Sequence, residues 1–174
     1  MSRTSSPAGP PGGDGTSGAP RTDFAGAVYG SLLAASVIAT AGSVGGYPRL
    51  QLGLLLIITG IVFWAAHVYA RVAGERLPGQ PWSRPRIRRV ARQEWSIVEA
   101  AALPALAVAV SPLLGLDLAG TAWFALGVAV TQQVVWACLG AHRAGASARQ
   151  VMVECVVNLV LGLVIVTSKA ALGH

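Results

Sequence analysis

Charged side chains are scarce in this sequence. They make up only 11% of the 174 residues, whereas hydrophobic residues make up 53%. A soluble domain carries about 25% charged residues because its surface must face water. So low a charge content argues against a soluble domain, and it predicts that most side chains face lipid or each other.

Cysteine is almost absent, and metal-binding motifs are missing. Only Cys138 and Cys155 occur, with no CxxC pair and no Cys/His ligand spacing. We therefore expect neither a structural zinc site nor a disulfide framework, and we interpret both residues as small apolar fillers. We predict no metal site and no cofactor.

Long apolar runs dominate the rest of the chain. Five of them are near the roughly 20 residues that a helix needs to cross a bilayer core. They are residues 24–44, 50–69, 95–114, 118–140 and 151–167. Each run is continuously apolar, whereas the strands of a membrane barrel alternate. The sequence predicts an all-α integral membrane bundle of about five transmembrane helices, within residues 23–171.

The first 22 residues differ in composition from the remainder. They are rich in Gly, Pro and Ser and show no apolar periodicity, which is typical of a disordered tail. No apolar segment follows directly on a basic start, so a secretory signal peptide is not predicted. We expect residues 1–22 to form a disordered cytoplasmic tail.

The positions of the basic residues predict the orientation. Eleven of the thirteen Arg and Lys residues share one side of the membrane, and only Arg49 and Lys169 fall on the other. Basic residues concentrate in cytoplasmic segments, which predicts an N-in, C-out topology. The formal charge of +6 is thus accounted for by topology, and we expect no nucleic-acid partner.

Residues 71–94 form the only long connection, and arginine is concentrated there. Its candidate phosphate or headgroup ligands are Arg84, Arg86, Arg88, Arg89 and Arg92. One interpretation is a topology determinant that lies on anionic lipid headgroups, at about 1 kcal/mol per arginine. The other is a phosphate site, since arginine binds phosphate oxygens bidentately. The second is favoured less, because no Gly-rich phosphate loop or Asp-rich metal motif accompanies the cluster.

Each predicted span contains at least one polar side chain. They are Tyr29, His67, Glu99, Gln132, Gln133, Glu154 and Asn158. Since successive helices alternate in direction, all of them fall in the cytoplasmic half. Polar groups within a bilayer are costly and often mark function. We expect His67, Glu99, Gln133 and Glu154 to point into the bundle, with at least two of them lining one cavity open to the cytoplasm.

This constellation suggests roles for its members. Glu99 or Glu154 would donate a proton, and His67 would act as base or relay. Aromatic walls and polar contacts would hold the substrate. The candidate substrate-binding residues are Tyr29, Trp64, Trp95, Gln132, Gln133, Trp136 and Asn158. The alternative is structural, because such side chains also pair with interfacial arginines or join helices.

Small residues indicate close helix packing. Gly26, Gly30 and Ala34 recur at four-residue spacing in the first span. This spacing favours close contact between membrane helices, either within the bundle or across a dimer. Pro104 lies inside the third span, where it is expected to kink the helix.

Two stretches carry a resemblance to known sequences. FWAAHVYARVAGERL (residues 63–77) and QEWSIVEAAALPALA (residues 93–107) are similar to small multi-pass membrane proteins of high-GC bacteria. The resemblance implies a bacterial cytoplasmic (inner) membrane. It implies no activity and no catalytic residues.

Three functions are compatible with the sequence. The first is a membrane-embedded enzyme that acts on a lipophilic substrate, such as an isoprenoid or lipid, by acid–base chemistry. The second is a non-catalytic partner subunit, within a homo-oligomer or beside another membrane protein. The third is a small proton-coupled transporter or channel, which would ordinarily need polar lining in both leaflets.

The topology is directly testable with reporter fusions. A reporter fused after Gly79 is expected to be active in the cytoplasm, and one fused at His174 is expected to be active outside. Topology reporters that respond oppositely to the two compartments provide the measurement. A cytoplasmic C-terminus would contradict the five-span arrangement.

Overall fold

The fold is an all-helical bundle. The computed structural model describes residues 24–43, 48–74 and 83–172. Within these ranges it contains six α-helices, one 3₁₀ turn and no strand. The helices are α1 (Phe24–Ser43), α2 (Arg49–Gly74), α3 (Arg84–Gln93), α4 (Ser96–Val110), α5 (Leu118–Arg143) and α6 (Ala148–Leu172), and the 3₁₀ turn (Ser111–Leu114) follows α4.

Five of these helices are long and apolar enough to cross a membrane, which confirms the predicted fold class. They are α1, α2, α4 with its 3₁₀ turn, α5 and α6. The helices α2, α5 and α6 continue a few residues beyond the predicted spans, because the helical backbone extends through the polar residues that flank each apolar run. Residues 1–22 and Val44 lie outside the described residues, so the predicted tail stays a prediction, as does the orientation.

The bundle is held together around α1. This helix packs against α2, α4, α5 and α6. Its contact with α4 is very close: a Cβ on Gly30 would lie 2.9 Å from both the Ala100 Cβ and the Ile97 carbonyl oxygen. The α2–α4 contact is similar, since a Cβ on Gly60 would lie 2.9 Å from the Ala101 Cβ. Small residues therefore allow three backbones to approach, as is common where lipid removes the hydrophobic drive for association.

The two basic residues assigned to the outer side both contact the protein. Arg49 donates from Nε to the Thr121 hydroxyl at 3.2 Å and also donates to the Leu116 carbonyl. The Lys169 ammonium lies over the Trp123 ring, 5.3 Å from its centroid. These contacts connect α2 and α6 to α5 and give both cations a structural role.

The Gly30 contact predicts a stability difference between two glycine variants. Gly30→Ala is expected to lower the melting temperature in detergent, because overpacking against a backbone carbonyl costs about 1–3 kcal/mol. Gly53→Ala is the matched control, since a Cβ there meets nothing within 4 Å. Equal melting temperatures for the two variants would contradict the close α1–α4 packing.

Candidate functional site

A short amphipathic helix, α3, lies within the segment that was predicted to be a loop. It is capped by Ser83, whose hydroxyl accepts from the Arg86 N–H at 3.3 Å, and it has a proline in its first turn. Both features favour a helix start. Its apolar side, with Val90 at the centre, packs on Val68 and Val72 of α2. The Ser-Arg-Pro start and the apolar spacing were the signals in the sequence that could have predicted it.

Two polar contacts fix α3 against α2. Arg71, in the last turn of α2, forms an ion pair with the buried Glu94 at the end of α3. The Trp64 indole N–H donates to the Ala91 carbonyl at 2.8 Å. A buried carboxylate needs such a partner, because unpaired burial of a charge is strongly destabilising. The position of α3 is therefore set by side chains of α2.

An open cavity of about 340 Å³ lies where α2, α3 and the start of α4 meet. We name it the Arg–Trp cavity, and its lining residues are Trp64, Arg88, Ala91, Arg92 and Trp95. The two tryptophan rings meet edge to face, with centroids 5.5 Å apart. Its volume is at the lower end of the range of small-molecule sites. The structure thus joins the predicted arginine cluster to two of the predicted aromatic residues.

The two arginines in this cavity are available to a ligand. Arg88 and Arg92 are four residues apart and so share one face of α3. Both are exposed, and neither guanidinium group has an ion-pair or hydrogen-bond partner in the part of the chain that the structure describes. The other candidates, Arg84, Arg86 and Arg89, do not line the cavity. Two unpaired guanidinium groups beside apolar rings suit an anionic group attached to an apolar body.

The predicted amide side chains do lie inside the bundle. Gln132 donates to the Ala100 carbonyl at 3.3 Å, which joins α5 to α4. Gln133 donates to the Asn158 carbonyl at 3.0 Å and to its side-chain oxygen at 3.3 Å, which joins α5 to α6. The inward orientation predicted for Gln133 is confirmed. The contacts are those of polar side chains that hold membrane helices together.

The predicted catalytic residues lie on the surface of the bundle. Glu99, His67 and Glu154 are each exposed on the outside of the bundle, so the expectation that they point inward is wrong. Glu99 faces outward because its neighbours Ile97 and Ala100 occupy the α4 face that contacts α1.

His67 and Glu154 are exposed for different structural reasons. The His67 ring contacts the Tyr29 ring at the bundle surface, with centroids 5.2 Å apart and planes tilted by 43°. Glu154 lies on the peripheral helix α6, which buries little of its length.

The prediction for the cysteines also needs correction. Cys138 of α5 and Cys155 of α6 are joined by a disulfide, with their Cα atoms 5.6 Å apart. That separation is ordinary for bridged cysteines. The antiparallel packing of α5 against α6 places the two residues opposite each other. That Cys138 and Cys155 lie this close cannot be inferred from their spacing in the sequence. They are a cross-link rather than apolar fillers.

Comparisons of this chain with protein-family models, with curated proteins and with solved structures find no match. The resemblance to bacterial multi-pass proteins therefore stays a prediction.

The Arg71–Glu94 ion pair predicts a loss of stability on substitution. Glu94→Ala is expected to release α3 and to cost about 1–3 kcal/mol, because the buried carboxylate and its hydrogen bond to Arg71 are lost. Melting in detergent and limited proteolysis between α2 and α4 are the measurements. The adjacent exposed Gln93→Ala is the control. Unchanged proteolysis of the Glu94 variant would show that the pair does not position α3.

Proposed function

We propose that this protein binds a phosphate-bearing lipid at the membrane interface through the Arg–Trp cavity. The observation that carries the proposal is that two arginines and two tryptophans line one open cavity. The guanidinium groups of Arg88 and Arg92 have no protein partner in the described ranges, and the rings of Trp64 and Trp95 lie beside them. Phosphate supplies the oxygens that guanidinium groups bind best, and the lipid supplies the apolar surface that tryptophan contacts.

The placement of the cavity supports this ligand class. The helix α3 is short, carries arginines on one side and packs its apolar side on α2, which is the pattern of a helix lying in a membrane interface. It connects the ends of two spans, α2 and α4. In the predicted N-in orientation this end faces the cytoplasm, where the inner leaflet of a bacterial membrane presents anionic headgroups.

The proposed function is lipid binding. The ligand belongs to the lipophilic class predicted from the sequence, and it also carries an anionic phosphate group. It also fits a non-catalytic membrane subunit whose task is to hold such a lipid. Catalysis and proton-coupled transport stay predictions from the sequence.

A charge-matched pair of double variants tests the proposal. General attraction to an anionic surface is worth about 1 kcal/mol per arginine wherever it lies. A direct guanidinium–phosphate hydrogen bond is worth about 1.5–3 kcal/mol. The variant Arg88→Gln/Arg92→Gln loses two such bonds, about 3 kcal/mol or more, and is expected to bind phosphatidylglycerol at least about a hundredfold more weakly than the wild type. The variant Arg84→Gln/Arg89→Gln loses the same charge outside the cavity, about 2 kcal/mol of general attraction, and is expected to bind only about thirtyfold more weakly.

The measurement is native mass spectrometry of purified protein released from phosphatidylcholine nanodiscs that contain graded phosphatidylglycerol. Inorganic phosphate is added as a competitor to distinguish a free-phosphate site from a lipid site. It is expected to displace little lipid, because the apolar contacts add to the affinity for the lipid and not to that for phosphate. Equal losses in the two double variants would leave only general attraction. Complete displacement by inorganic phosphate would also overturn the lipid assignment.

A further inference from the structure

A second cavity lies on the membrane-facing side of the bundle, between α4 and α5. We name it the α4–α5 groove. Its volume is about 640 Å³, and its lining includes Leu103, Trp123, Gly127, Gln132 and Leu139. A Cβ on Gly127 would meet nothing within 4 Å, so this glycine leaves open space in the groove. The residues differ entirely from those of the Arg–Trp cavity.

Gln132 and Thr131 are the two residues of this lining with an amide or hydroxyl side chain, and Gln132 is incompletely hydrogen-bonded. Gln132 is only 8% exposed. Its Nε2 donates to the Ala100 carbonyl, but its Oε1 has no partner among the described residues. A buried acceptor without a partner is costly, and a ligand that donates a hydrogen bond would remove that cost. Gln132 lines the groove, and the terminal torsion of glutamine is broad, so rotation of the amide can turn Oε1 towards a donor in the groove.

The dimensions of the groove favour a chain-like occupant. Trp123 and Leu139 are sixteen residues apart on α5, or about 24 Å at 1.5 Å per residue, so the groove follows most of a bilayer core. Gln132 lies nine residues from Trp123, about 14 Å along the helix. A ligand whose donor sits at Gln132 would thus extend an apolar chain of about that length towards Trp123.

We propose that the α4–α5 groove is a binding site for a long-chain lipophilic alcohol. Its hydroxyl donates to Gln132 Oε1, and its chain lies along α5 past Gly127 towards Trp123. An acyl chain of an ordinary lipid would fill the same space but has no donor for Gln132. The alcohol enters sideways from the bilayer, because the lining residues on α5 are largely exposed on the lipid-facing side.

The test is saturable binding of tritiated farnesol to the purified protein in detergent, with farnesol or farnesyl methyl ether as the unlabelled competitor. The ether keeps the chain and loses the hydroxyl donor. It is expected to compete at least about fivefold more weakly than farnesol, which corresponds to one net hydrogen bond. This comparison uses the wild-type protein, so it does not depend on the folding of a variant.

Four variants localise the site. Gly127→Leu is expected to abolish binding because its side chain fills the groove, where a Cβ at this position meets nothing within 4 Å. Gly53→Leu, at a glycine of α2 whose Cβ also meets nothing within 4 Å, is expected to leave binding unchanged. Gln132→Met keeps the length of the side chain and is expected to bind farnesol at least about fivefold more weakly. Arg88→Gln/Arg92→Gln is expected to bind farnesol normally, so failure here and failure of the Arg–Trp proposal are distinguishable.

Four results would overturn the proposal. They are the absence of saturable farnesol binding to the wild type, equal competition by the ether, full binding by Gly127→Leu, and full binding by Gln132→Met. If the wild type were dimeric and Gly127→Leu monomeric, with neither binding farnesol, the groove would be an interface between two copies of this chain instead.

Discussion

The close approach of α4 to α1 and α2 is the constraint on which the rest of the structure depends. Between membrane helices there is little hydrophobic drive, so association requires dense packing of small residues. Gly30 and Gly60 allow this packing because any Cβ at either position would lie 2.9 Å from an alanine of α4. The rotation of α4 about its own axis is fixed as a result.

That rotation determines what the other faces of α4 can do. With Ala100 and Ala101 committed to α1 and α2, Glu99 faces outward and Leu103 borders the groove beside α5. Trp95, in the turn that precedes α4, meets Trp64 across the Arg–Trp cavity. The glycine contacts occupy one side of α4 and leave its other sides free. Leu103 on α4 borders the groove, and Trp95 in the turn before α4 borders the Arg–Trp cavity. Both proposed sites therefore depend on the same helix packing.

The sequence was sufficient for the spans but not for the orientation of their side chains. Continuous hydrophobicity over about 20 residues predicts a membrane span whatever the neighbouring helices are. The Gly26–Gly30 spacing predicted close helix packing, and the structure shows such a contact at Gly30. Depth along a helix can be counted from the sequence, whereas rotation about its axis depends on partners far away in the chain. The inward prediction was therefore confirmed for Gln133 and wrong for Glu99. The α3 helix was missed because its apolar side is short and is interrupted by arginines.

The distribution of polar groups follows from the cost of burying charge. Transferring a neutral amide out of water costs a few kcal/mol without a hydrogen bond, whereas an isolated ionised group costs far more. Accordingly, the amides Gln132, Gln133 and Asn158 are buried, while Glu99 and Glu154 are exposed. The buried charged groups of Glu94 and Lys169 each have a partner, the Arg71 guanidinium and the Trp123 ring. A buried amide offers hydrogen bonds and no titratable proton. The interior is therefore chemically suited to a neutral hydrogen-bonding ligand, whereas the exposed arginines of α3 are suited to an anionic one.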